Sequence, residues 1–167
     1  MGLKLRKRTK RKVYKLVNPI VYAIEGVSLI SKELLDKLRL MELASLDAFT
    51  RGQANREDWN NLTDMLNIAE TMSKAGIGPE ALDSIMAGQK ELLKCAERYK
   101  IVGKFGLTGI GIRTLRDCHE YHDLQRQSVS RAEYERFIVQ IQHKIRIRHK
   151  DITYVEPLDR TTTQTSG

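Results

Sequence analysis

Between residues 55 and 72 the apolar side chains keep one spacing. Trp59, Leu62, Met65, Leu66, Ala69 and Met72 follow one another at intervals of three and four. That spacing puts all of them on one side of a 3.6-residue helix, whereas a strand would scatter them over both faces. Asn55, with Asp58 three residues on, is a variant of the capping box that starts such a helix. One apolar stripe needs other apolar faces to cover it, and the rest of the chain supplies them in the same period.

Asn18-Pro19 reads as a helix start, with Asn as cap and Pro at the first helical position, and a short helix runs to about Val27. Ser31 caps a second helix that stops at Gly52. Its apolar residues (Leu34, Leu35, Leu38, Leu40, Met41, Leu43, Leu46, Phe49) cover most of the circumference, which predicts a central helix buried from more than one side. Gly76 and Gly78 end the Trp59 helix. Pro79 opens the next at its first position, and Ala81, Leu82, Ile85, Leu92, Leu93, Ala96 and Tyr99 form its face up to Gly103. A fifth helix is expected from about Gly111 to Arg126, with Ile112, Leu115, Cys118 and His122 on one side. Ser130 and Glu133 form a capping box for a sixth, striped by Tyr134, Phe137, Ile138, Ile141 and Ile145. After Lys150 the period fails. Ile152, Tyr154 and Val155 alternate weakly, and the last residues are small and polar. The expected architecture is all-α: a single compact bundle of about six helices over residues 16–150, a basic N-terminal arm at 1–15, and a short extended or disordered tail at 151–167.

The charge is distributed unevenly. The 167 residues carry 29 Lys and Arg against 21 Asp and Glu, a net charge of +8. Lys4, Arg6, Lys7, Arg8, Lys10, Arg11, Lys12 and Lys15 put eight bases and no acid in the first fifteen residues. Removing those 8 from 29 leaves 21 bases against 21 acids, so the body is neutral and the whole excess lies on the arm. Such a density repels itself and cannot be packed in a core. Against phosphates it would release condensed counterions, which predicts nucleic-acid binding with a steep salt dependence. An acidic protein partner and a merely solvated tail are the other readings of the same residues. No run of 18 apolar residues suggests a membrane span, and no apolar segment of signal-peptide type follows the cationic start. Cys95 and Cys118 are too few for a disulfide framework, and a reducing, cytoplasmic setting is expected.

Other motifs are weaker. Lys144, Arg146 and Arg148 form a second cationic segment, which also complements the negative end of the sixth helix. The glycine-rich stretch from Gly103 to Gly111 lacks the preceding strand and the spacing of a phosphate loop, and reads as a helix–helix connection. His119 and His122 lie three apart, but their spacing is not that of H-E-x-x-H, and packed histidines are the simpler expectation. No nucleophile–base set stands out, so neither an enzyme, a cofactor nor a metal is expected.

Two resemblances add to this. Gly109 to Arg116 (GIGIRTLR) resembles the turn and recognition-helix start of Fis-type helix-turn-helix proteins, which implies that Arg113, Thr114 and Arg116 face the major groove. Asp117, Glu120 and Asp123 follow where such a helix usually carries bases. Over most of the body, phrases such as VNPI at 17–20, DMLNIAE at 64–70, GIGPEAL at 76–82, GLTG at 106–109 and EYHDLQR at 120–126 resemble a family of small proteins encoded by phages and prophages of proteobacteria, often labelled hypothetical or Fis-family transcriptional regulators. The resemblance implies a phage context. The expected function is therefore a non-enzymatic phage protein that binds nucleic acid, DNA rather than RNA, with the arm on phosphates and any specificity left to the Arg113 helix or to homodimer geometry. The rival expectation is an interaction protein that inhibits a host complex, for counter-defence such as anti-CRISPR or against a polymerase.

Overall fold

A computed structural model describes residues 31–147 and 150. Within them the chain forms five helices and no strand. These are α1 (Lys32–Thr50), α2 (Arg56–Lys74), α3 (Leu82–Val102), α4 (Gly109–Gln127) and α5 (Arg131–Arg146), with a 3₁₀ turn at Pro79–Ala81 before α3. The expected short first helix, from Asn18-Pro19 to about Val27, the basic arm and the C-terminal tail lie outside the described residues.

The caps form as their sequences dictate. Ser31 Oγ accepts from the Leu34 amide of α1. Asn55 and Asp58 close a reciprocal capping box on α2, and Ser130 and Glu133 close another on α5. Each box satisfies two amides that the first turn would otherwise leave without partners. Thr108 caps α4 through the Gly111 amide, which starts that helix at Gly109 rather than Gly111. Pro79 opens a 3₁₀ turn instead of the first α-helical turn of α3. At the other end of α3, Gly103 takes φ 70°, where a side chain would be strained, and its amide donates to Tyr99 O.

The central helix is α2, not α1. The full Trp59–Met72 stripe is buried, and α2 contacts all four of the other helices. The expectation for α1 fails because its inner stripe is not the set of its leucines. Glu42, Ser45, Leu46 and Phe49 are its buried residues. Glu42 points inward to an arginine of α4, and that rotation leaves Leu40, Met41 and Leu43 exposed. Leu93 of α3 is likewise exposed.

α4 runs antiparallel to both α1 and α3. Arg116 reaches Thr50 near the end of α1, and Arg126 reaches Glu42 in its middle. Cys118 Sγ lies 3.1 Å from Ser84 O near the start of α3, and Glu91 flanks Gly111. The α3–α4 pair is thus a side-by-side hairpin, whereas helix-turn-helix partners cross at about 90–120°. Gly88 permits the close approach: a Cβ there would sit 2.8 Å from Cys118 Sγ and 3.3 Å from both Leu115 and Leu66. Two apolar clusters result. The larger joins Phe49, Trp59, Leu66, Ile85, Leu92, Phe105 and Leu115. The smaller joins Met72, Val129 and Tyr134 with the start of α1 and with Phe137 and Ile138 of α5.

Candidate nucleic-acid interface

The antiparallel packing brings the end of α1, the end of α3 and the start of α4 to one end of the bundle. An open cavity of about 470 Å³ lies there. Phe49, Val102, Phe105, Leu107 and Ile112 give it apolar walls, and Arg51, Arg98 and Lys104 give it charge. Among the described residues no carboxylate lines it. Phe105 is held from behind by Tyr99, whose ring stacks on it at 3.9 Å between centroids and 14° between planes. Arg56 in turn lies over Tyr99, 5.8 Å from its ring centre. Trp59 lies 6.4 Å from Phe105 between ring centroids, and its indole N–H donates to Leu92 O at 3.1 Å. The walls of the cavity are therefore anchored in the main core.

The cations differ in how far they are engaged. Arg51 pairs with Asp47 at 2.8 Å, an exposed i, i+4 contact worth only a few tenths of a kcal/mol. Arg98 Nη1 donates weakly to Gly106 O at 3.3 Å. Lys104 is exposed and makes no hydrogen bond or ion pair among the described residues. Arg116 extends the set, donating to Thr50 Oγ1 at 3.4 Å beside the cavity. Arg113, three residues earlier on α4, is exposed on the first turn of that helix. Thr114 sits between them, but its hydroxyl donates back to Ile110 O at 3.0 Å. Arg116 thus stands beside a cationic cavity, which its sequence alone did not reveal.

Arg51, Arg98 and Lys104 escaped the sequence reading. Each sits at or just past the C-terminus of a helix, where a base reads as complement to the helix dipole. Only the hairpin packing unites them. Lys144 and Arg146 close the last turn of α5, a helix whose first turns pack in the smaller cluster at the opposite end of the bundle. Neither forms a hydrogen bond or ion pair among the described residues. Arg148 and the whole arm, from Lys4, Arg6, Lys7, Arg8, Lys10, Arg11 and Lys12 to Lys15, lie outside the described residues.

A second polar constellation is buried between α1, α4 and α5. Arg126, with no side-chain exposure, donates Nη1 to Glu42 Oε1 at 2.5 Å and Nη2 to Glu42 Oε2 at 2.8 Å. Asp123 joins Arg126 to Arg39. His119 Nε2 lies 3.2 Å from Glu42 Oε2. His122 is fully buried between Gln125 Oε1 at 3.0 Å and Tyr134 Oη at 3.1 Å. Burial, joined by the charge of Arg126, pushes His122 down to about 4, so it is neutral. Burial works against ionised Glu42, but its contacts with His119 and Arg126 prevail and hold its carboxyl below the usual range. The two histidines thus point at protein partners, and no group of three or more metal-ligating side chains gathers among the described residues. The network clamps α4 to α1.

No helix among the described residues is long and apolar enough to cross a membrane. No protein-family model, curated protein or solved structure matches the chain.

Proposed function

We propose that the protein binds nucleic acid, DNA in preference to RNA, and does no chemistry on it. The cationic end of the bundle and the basic arm meet phosphates. The observation that supports this is the convergence of Arg51, Arg98, Lys104 and Arg116 from three helices and one loop around a cavity that, among the described residues, no carboxylate lines. Phosphate contacts of this kind position a protein on its target and carry no sequence information. A regulatory role in a phage or prophage accords with the family that the chain resembles.

The experiment is a salt titration of duplex DNA binding by the full chain and by a form lacking residues 1–15. Each phosphate contact contributes about −0.9 to the log–log slope. The reading expects a slope of several units in the full chain, reduced but not abolished in the shorter form. Absence of binding by both forms near physiological salt overturns it.

One observation favours the rival reading of a protein that binds and inhibits a host complex. Leu40 and Leu43 of α1 and Leu124 of α4 are all exposed, and Leu43 and Leu124 border a groove of about 430 Å³ beside Arg39 and Glu120. If the arm can be cut without loss of a captured host partner, this surface is the functional one.

A further inference from the structure

The cavity at the cationic end has a composition that neither a bare anion nor an apolar ligand satisfies. Phosphate alone would leave Val102, Leu107 and Ile112 uncovered. An apolar ligand would cover them but strip water from Arg98 and Lys104 without giving their charges a partner, which is costly. The complementary ligand has a flat or compact apolar body and a terminal anionic group. The cavity volume of about 470 Å³ lies in the range of small-molecule sites. It is too small for a duplex and of the right order for one nucleotide.

We propose that this cavity is a binding site for a single nucleoside monophosphate, base and sugar against the apolar walls and phosphate on Lys104 and Arg98. The ligand class rests on the nucleic-acid reading, but the site is distinct from the duplex contacts of the arm. The uncommitted state of Lys104, on the connection between α3 and α4, supports it. So does the geometry of Arg98, whose one hydrogen bond among the described residues, to Gly106 O, is long and readily exchanged for a phosphate oxygen. The monophosphate has two sources, a free nucleotide or the 5′-phosphorylated end of a strand, and both present the same chemistry to the cavity.

The test is calorimetric titration of the full-length chain with thymidine 5′-monophosphate, thymidine and inorganic phosphate. Saturable binding of the monophosphate, at least tenfold tighter than either part alone, is expected. Lys104→Ala and Arg98→Ala, both at exposed positions that the core does not need, should each weaken it about tenfold while a control at exposed Lys37→Ala leaves it unchanged. Oligothymidylates with and without a 5′-phosphate then separate the sources. A tighter phosphorylated strand identifies a strand end, and exclusion of both strands with retained monophosphate binding identifies the free nucleotide. No saturable binding of the monophosphate, or equal binding by Lys104→Ala and Arg98→Ala, overturns the site. Duplex binding by the full chain, measured alongside, keeps the two readings apart: a duplex salt slope of several units without saturable monophosphate binding overturns the site and leaves the nucleic-acid reading standing.

Discussion

Arg126 of α4 grips both carboxylate oxygens of Glu42 on α1, and both side chains are shut off from water. A bidentate pair of this geometry is among the stronger protein contacts, yet its formation costs the hydration of two ions. The balance makes the pair far more important to break than to possess. Glu42→Ala should destabilise the fold by about 3–5 kcal/mol, because it strands a buried guanidinium. Glu42→Leu combined with Arg126→Met should restore most of that loss, since packed apolar groups need no partner. Urea denaturation of the two variants and of the unaltered chain checks this. A double variant as unstable as Glu42→Ala would show that the pair itself, and not the orphaned charge, sets the cost.

His122 makes the same network sensitive to acid. An ordinary histidine takes a proton near pH 6.5, whereas buried His122 resists until about 4. Between those values the unfolded chain holds a proton that the native chain does not. Stability therefore falls as pH drops from about 6.5 to about 4, by up to about 3 kcal/mol from this one group. Glu42 and Asp123, both held below the usual carboxylate range, add loss of the same sign as pH falls through their native values. His122→Asn should flatten the decline above pH 4.5 at some cost in stability at pH 7. Chemical denaturation of both proteins across pH 4–7 measures the difference, and equal slopes would show that His122 is not the titrating group.

These two residues also mark where the sequence was hard to read. The α2 stripe was legible because Trp59, Leu62, Met65, Leu66, Ala69 and Met72 keep one period and its cap is explicit, although Thr63, Asn67, Thr71 and Ser73 are buried beside them. The same holds for the α5 stripe and its Ser130–Glu133 box. α1 was misread because exposed Leu40 and Leu43 look like core, while inward Glu42 looks like surface. The clue was present: Leu38, Glu42, Leu46 and Phe49 share one face, and so do Leu115, Cys118, His122 and Arg126 on α4. A charge inside an apolar stripe on each of two helices is a reason to pair them. The cationic cavity carried no such clue, because its bases come from the ends of α1 and α3, and Arg116 of α4 joins them only through how tightly the helices approach.

That approach rests on Gly88. A methyl group there would overlap Cys118 Sγ and press on Leu115 and Leu66. Overpacking of a core of this density typically costs about 1–3 kcal/mol. Gly88→Ala should destabilise by that amount even though alanine is the better helix former. Cys118→Ala removes the nearest atom, so the double variant should recover part of the loss. A double-mutant cycle by thermal or urea unfolding reads the coupling. Strict additivity would mean that the helices separate instead of repacking locally.

Arg113 and Arg116 distinguish a phosphate-binding helix start from a base-reading one. The antiparallel α3–α4 hairpin does not present α4 as a helix-turn-helix presents its second helix, and the Thr114 hydroxyl is spent on its own backbone. Both arginines should therefore act on phosphates. Arg113→Gln with Arg116→Gln should lower the log–log salt slope for duplex DNA by up to about 2 and weaken all sequences alike. Removal of residues 1–15, with its eight bases, should lower the slope further and additively if arm and helix touch separate phosphates. Competition among random-sequence and selected duplexes, repeated at several salt concentrations, measures both quantities. If the double variant changes sequence preference while leaving the slope intact, then α4 reads bases, and the Fis-like arrangement of its first two turns is functional despite the hairpin.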